Sequence, residues 1–173
     1  MKYLVCLLCL LLLPALAQEA NYDNLTVVGA APPMTDEENT RLGMYAMRTK
    51  YKEPVVGMYF SNGDNQVRFY MNSTTWEKLK ADLLKAKKEW ATLSAREFER
   101  AGTIQGYQIA NKLATLRISL QGETDLSAKR LMLSATGGPE YTVHVAMALK
   151  EENLEELIQA FQKVDQFLQA SSK

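Results

Sequence analysis

Twice along this chain a segment that alternates apolar and polar residues gives way to one whose apolar residues recur every three or four positions. Val67, Phe69 and Met71 alternate with Gln66, Arg68 and Tyr70, and the stripe Trp76, Leu79, Leu83, Ala86, Trp90 and Leu93 follows. Val143, Val145 and Met147 precede a second stripe of Leu154, Leu157, Ile158, Phe161, Val164 and Leu168. A period of two belongs to a strand with one buried face, and a period near 3.6 to an amphipathic helix. Neither stripe can bury its apolar side alone, so the simplest solution packs helices on a sheet.

Turn signals divide the remaining apolar runs into hairpins. Residues 55–60 and 67–71 flank Ser61-Asn62-Gly63-Asp64-Asn65, where Asn-Gly favours a tight turn. Residues 103–109 and 113–120 flank Ala110-Asn111-Lys112, and residues 130–135 and 141–149 flank Gly137-Gly138-Pro139. Thr74 with Glu77 fits a capping box ahead of the first long helix. Ser94 with Glu97 allows that helix to kink and restart before Gly102 ends it. The final helix spans about residues 151–170, with Glu151 and Glu152 suited to its positive N-terminal end. Residues 43–51 fit a helix and a strand equally well. The expected fold is therefore α+β: an antiparallel sheet of about six strands with two amphipathic helices packed on one face. A hairpin followed by a helix, over 55–100 and again over 130–170, has two explanations, a ββα duplication and ordinary convergence of such patterning.

Upstream of this domain, Lys2 precedes an apolar run from Leu4 to Leu13, then Pro14-Ala15-Leu16-Ala17. A basic start, a short apolar run and small residues two apart make the three regions of a secretory signal peptide. Cleavage is expected after Ala17, which makes the chain secreted or periplasmic. The run is shorter than the roughly 20 residues a membrane span needs, and no later run is longer. Residues 18–34, ending in Pro32-Pro33, read as a flexible leader with at most one short strand. Thr35 with Glu38 fits a capping box for a short helix, and residues 35–173 read as a single domain.

Both cysteines, Cys6 and Cys9, fall inside the signal, so their C-x-x-C spacing leaves with it. The exported chain has no disulfide to staple it and depends on its core, for which about 156 residues suffice. Without Lys2, 19 basic residues face 20 acidic ones. That balance gives no reason to expect a nucleic-acid partner. Lys78, Lys80, Lys85, Lys87 and Lys88 sit mostly off the apolar stripe and read as a solvated helix face.

Chemistry is thinly supplied. One histidine, His144, lies between Val143 and Val145 on a strand, facing away from the apolar set. No G-x-S-x-G, phosphate loop or metal-ligand spacing accompanies it, so no catalytic residue, metal or cofactor is assigned. Asn62-Gly63-Asp64-Asn65 lacks the length and glutamate of a calcium loop. Asn24-Leu25-Thr26 and Asn72-Ser73-Thr74 match glycosylation acceptors, relevant in a eukaryotic host alone. The polar face of the sheet remains, carrying Arg68, Tyr70, Arg117, Arg130 and His144. Arg and Tyr are enriched where surfaces recognise partners, although a solvated sheet face alternates in the same way. The preferred expectation is an exported, non-enzymatic binding module for an unidentified protein or small polar ligand. A carboxylate-dependent hydrolase acting on envelope polymers and an envelope assembly protein are the alternatives.

Overall fold

A computed structural model of the protein describes residues 24–92, 103–108, 115–122, 129–137 and 142–171. The expected signal segment with Cys6 and Cys9, the expected Ser94/Glu97 restart, Gly102 and the expected turn residues Ala110-Asn111-Lys112 and Gly138-Pro139 lie outside them. The class is α+β, and among the described residues every strand pair is antiparallel and the strands divide between two sheets, one of five strands and one of four.

The first sheet contains β1 (Thr26–Ala30), β2 (Met34–Thr35), β3 (Arg41–Arg48), β4 (Pro54–Asn62) and β5 (Asn65–Asn72). Both β1 and β2 pair with β3, and β3, β4 and β5 form a meander. Helix α1 (Ser73–Thr92) follows directly. The second sheet is the meander β6 (Thr103–Gln108), β7 (Thr115–Gly122), β8 (Lys129–Gly137) and β9 (Val143–Leu149), followed by α2 (Glu151–Ala170).

Three local expectations change. Within residues 18–34, expected to be a leader with at most one short strand, residues 26–30 form β1 and Met34 begins β2, both part of the first sheet. The helix expected from Thr35 is absent: Thr35 pairs with Arg41 and Met34 with Leu42. Residues 36–40 instead make a hairpin turn in which Asn39 has φ 60° and Asp36 Oδ1 accepts from the Glu38 and Thr40 amides at 3.0 and 2.8 Å. Sheet pairing on both sides of the turn outweighs a two-residue capping pattern. The cap of α1 is Asn72 rather than Thr74: Asn72 Oδ1 accepts from the Thr75 amide at 2.9 Å. Asn is as good a cap as Thr, and this choice lets the helix start immediately after β5.

Residues 41–48 prove to be strand. Leu42, Met44 and Ala46 point into the core, while Met47 and Gly43 on the other face are also buried. At the far end of β3, Lys52 takes φ 65° and Thr49 Oγ1 accepts from the Tyr51 and Glu53 amides, each at 3.2 Å. Gly63, with φ 56°, turns β4 into β5.

One core joins both sheets and both helices. Leu42, Met44, Met58, Phe60, Val67 and Met71 from the first sheet meet Leu116, Leu131, Leu133, Val145 and Met147 from the second. Trp76, Leu79, Leu83, Ala86 and Trp90 of α1 and Leu154, Leu157, Phe161 and Val164 of α2 complete it. Each helix reaches beyond the sheet it follows: α1 touches β4, β5 and β6, and α2 touches β1, β3, β8 and β9. Phe167 of α2 sits so close to β1 that a Cβ built on Gly29 would lie 2.2 Å from its ring. The helices meet through Trp76 and Phe161, with ring centroids 4.4 Å apart. Trp76 Nε1 donates to Asp165 Oδ1 at 2.7 Å, and Lys80 Nζ bridges Asp165 at 2.6 Å and Glu77 at 2.8 Å.

The sheets meet where β5 lies beside β9. An end strand leaves backbone groups without a neighbour, and the 36–40 turn fills two of them. Asp36 Oδ2 accepts from the Ala148 amide at 3.1 Å, and Thr40 Oγ1 donates to the Ala146 carbonyl at 3.1 Å. Thr40 is fully buried, and Asn62 Nδ2 donates to its Oγ1 at 3.0 Å. Beside this contact Lys150 pairs with Glu37; its hydrogen bond and charge hold the Glu37 carboxyl below its ordinary pKa.

Candidate functional site

Strand register assembles a groove on the outer face of the first sheet. Tyr45 of β3 and Tyr70 of β5 are both opposite Gly57 of β4. In the next rank, Tyr59 of β4 lies between Gly43 and Arg68. Tyr45, Gly57, Tyr59, Arg68 and Tyr70, together with Val27, Met47 and Met58, line an open cavity of about 410 Å³.

Two glycines make room for the larger side chains. A Cβ on Gly57 would stand 2.9 Å from Met47 Sδ and 3.5 Å from the Tyr70 ring. One on Gly43 would stand 3.3 Å from the Tyr45 hydroxyl. The floor is therefore backbone at Gly57, with tyrosine on either side. Tyr45 is 37 % exposed and Val27 54 %, a large apolar exposure for a strand. The guanidinium carbon of Arg68 lies 5.2 Å from the centroid of the Tyr59 ring, within cation–π range. Among the described residues the lining contains one cation and no carboxylate, histidine or serine.

Of the five residues singled out in the sequence, Arg68 and Tyr70 belong to this groove. The other three lie on the second sheet, where Arg130 and His144 are not drawn together. His144 is exposed, and its Nδ1 is 3.0 Å from Thr136 Oγ1 on the neighbouring strand. Arg130 lies at the opposite end of β8 from Thr136, roughly 20 Å away at about 3.3 Å per residue. There its charge acts on Glu37 and Lys150. The backbone of Arg117 is placed on β7, opposite Gly106 and Ser134; its side chain is outside the described atoms.

Sequence reasoning missed Tyr45, Tyr59, Met47, Val27 and Gly57. Tyr59 shared a strand that had been recognised, and its spacing from Gly57 was a usable signal. Tyr45 lay in the ambiguous segment, and only cross-strand register puts it beside Gly57.

A second concavity of about 430 Å³ lies between Pro32, Pro33 and Met34 and the Glu156, Gln159, Ala160 and Lys163 side of α2. Its described lining carries both charges and no aromatic ring. Among the described residues no three His, Cys, Asp or Glu side chains group as a metal site, and no helix is long and apolar enough to cross a membrane. No known protein family matches the chain, and no curated protein resembles it in sequence.

Proposed function

We propose that this protein is an exported binding module, secreted or periplasmic, that recognises a small polar ligand through the groove on its first sheet. The Tyr45–Gly57–Tyr70 row carries the reading. A strand interior gains from a side chain, and glycine there often marks a close approach by a ligand or another chain. Here the missing side chain leaves a floor between two tyrosines, whose rings offer apolar area with a polar tip. The cavity volume lies within the range of small-ligand sites, about 300–1,000 Å³.

The lining favours recognition over catalysis. Its described residues offer tyrosine hydroxyls and one guanidinium, not the histidine or carboxylate that general acid–base work at neutral pH most often uses. Export rests on the signal segment, which fits a chain held together without disulfides.

Native mass spectrometry of protein recovered from the extracytoplasmic fraction of its own host tests both parts. The expected result is a chain beginning at Gln18 with a small-molecule adduct that is lost in a Tyr45→Ala/Tyr70→Ala variant. Retention of residues 1–17 in a cytoplasmic product opposes export. An adduct that survives the double substitution opposes the groove.

A further inference from the structure

Arg68 distinguishes the groove from a plain aromatic patch. Its side chain is exposed, and among the described residues it forms no ion pair; its contact is with the face of Tyr59. Several other cations on the described surface are ion-paired: Lys80 bridges Asp165 and Glu77, Lys87 pairs with Glu155, and Lys150 with Glu37, while Lys50 and Lys163 lie over the rings of Tyr51 and Phe167. Arg48 is held at the end of α2, donating to Ser171 Oγ, the Leu168 carbonyl and the Lys52 carbonyl. Arg68 is thus a guanidinium oriented by a ring, with its donors uncommitted among the described residues, at a cavity whose described lining has no negative charge.

We infer that the groove takes a ligand joining a carboxylate to a flat ring, with Arg68 receiving the carboxylate and Tyr45 and Tyr70 flanking the ring above Gly57. The inference rests on the groove being the ligand site. A guanidinium presents a planar fork of donors that matches a carboxylate in two parallel hydrogen bonds. Stacking on Tyr59 holds that fork before the ligand arrives, so less freedom is lost on binding. The glycine floor admits something thin, because the space a Cβ would occupy is already touched by Met47 Sδ and the Tyr70 ring. Such a floor suits a flat ring better than a branched aliphatic chain.

Two sources provide this chemistry: a uronic acid unit of a saccharide and an aromatic acid. Calorimetry and saturation-transfer NMR with matched probes separate them. The probes are D-glucuronate against methyl glucoside, and 4-hydroxyphenylacetate against its amide. One acid is expected to bind at least about tenfold more tightly than its neutral counterpart, the scale of a charged hydrogen-bonded pair. Its affinity should fall with added salt. Arg68→Gln, a change at an exposed position, should reduce the acid to the level of the neutral probe. Gly57→Ala should abolish binding of both by closing the floor, and a melting curve of each variant verifies folding. Equal binding of acid and neutral probe overturns the carboxylate inference while leaving the groove as a ligand site. Silence of all four probes on the wild-type protein also overturns it, and the native adduct experiment then judges the groove separately.

Discussion

Replacing Asp36 with alanine tests the contact that joins the two sheets. One carboxylate oxygen accepts from the Glu38 amide at 3.0 Å and the Thr40 amide at 2.8 Å, and the other accepts from the Ala148 amide at 3.1 Å. The Glu38 bond is exposed, so water replaces it at little cost. The other two are partly buried, and a hydrogen bond to a charged group contributes about 1.5–3 kcal/mol. Discounting for partial exposure, Asp36→Ala should destabilise by about 2–4 kcal/mol and lower Tm by roughly 5–15 °C. Asp36→Asn is the sharper variant. Its carbonyl can keep the Glu38 and Thr40 bonds, but its NH₂ then faces the Ala148 N–H, donor against donor. A loss of about 1–2 kcal/mol is expected, concentrated at β9. Urea unfolding gives the free energies, and amide exchange at Thr40 and Ala148 locates them. If Asp36→Ala stays within about 0.5 kcal/mol of wild type, a typical surface effect, the bridging role is refuted. Unchanged exchange at Ala148 also refutes it.

Gly29→Ala brings a Cβ to 2.2 Å from Phe167 Cγ, forcing the ring back by more than about 1 Å to reach ordinary contact. Overpacking of this kind costs about 1–3 kcal/mol, and Phe167→Ala in the same chain should recover part of it, read as a favourable coupling in a double-mutant cycle. Burial opposes the charge on Lys80, but its hydrogen bonds to Asp165 and Glu77 outweigh that and raise its pKa above the ordinary 10.5. Because the folded value is raised, the stabilisation is present below about pH 10.5 and is lost as pH rises through the folded value. The stability gap between wild type and Lys80→Gln should therefore be constant near neutrality and narrow in strong alkali, followed by chemical denaturation; a gap that widens there contradicts the assignment. Arg48→Met removes a guanidinium that meets the C-terminal carbonyls of α2, and should lower stability by about 1–2 kcal/mol, with amide exchange faster at residues 167–171.

The sequence was readable where one face of an element is polar. The α1 stripe through Trp76, Leu79, Leu83, Ala86 and Trp90 is the buried face, and α2 has the expected bounds. β5 was plain because Gln66 and Arg68 are exposed on either side of the buried Val67. β3 was obscured because both its faces are apolar: Leu42, Met44 and Ala46 enter the core, while Gly43, Tyr45 and Met47 belong to the groove side. The feature that hid the strand is thus part of the candidate site. The Thr35 capping pattern misled for a different reason, since it is local, whereas pairing with Leu42 and Arg41 is decided by the sheet. Arg68 and Tyr70 could be found from alternation on one strand. Tyr45 and Tyr59 needed register between strands, and the separation of Arg130 from His144 needed knowledge of where β8 meets β9.

Chemical-shift mapping tests the central claim most directly. Methyl and aromatic ring signals are followed while the tighter-binding ring carboxylate is titrated into the protein. The rings of Tyr45, Tyr59 and Tyr70, the Met47 methyl and the Arg68 Nε–H should shift together and saturate at one affinity, with His144 and the Pro32–Lys163 concavity unmoved. Shifts centred on His144 and Thr136, or along the outer side of α2, with the three tyrosines silent, contradict the account.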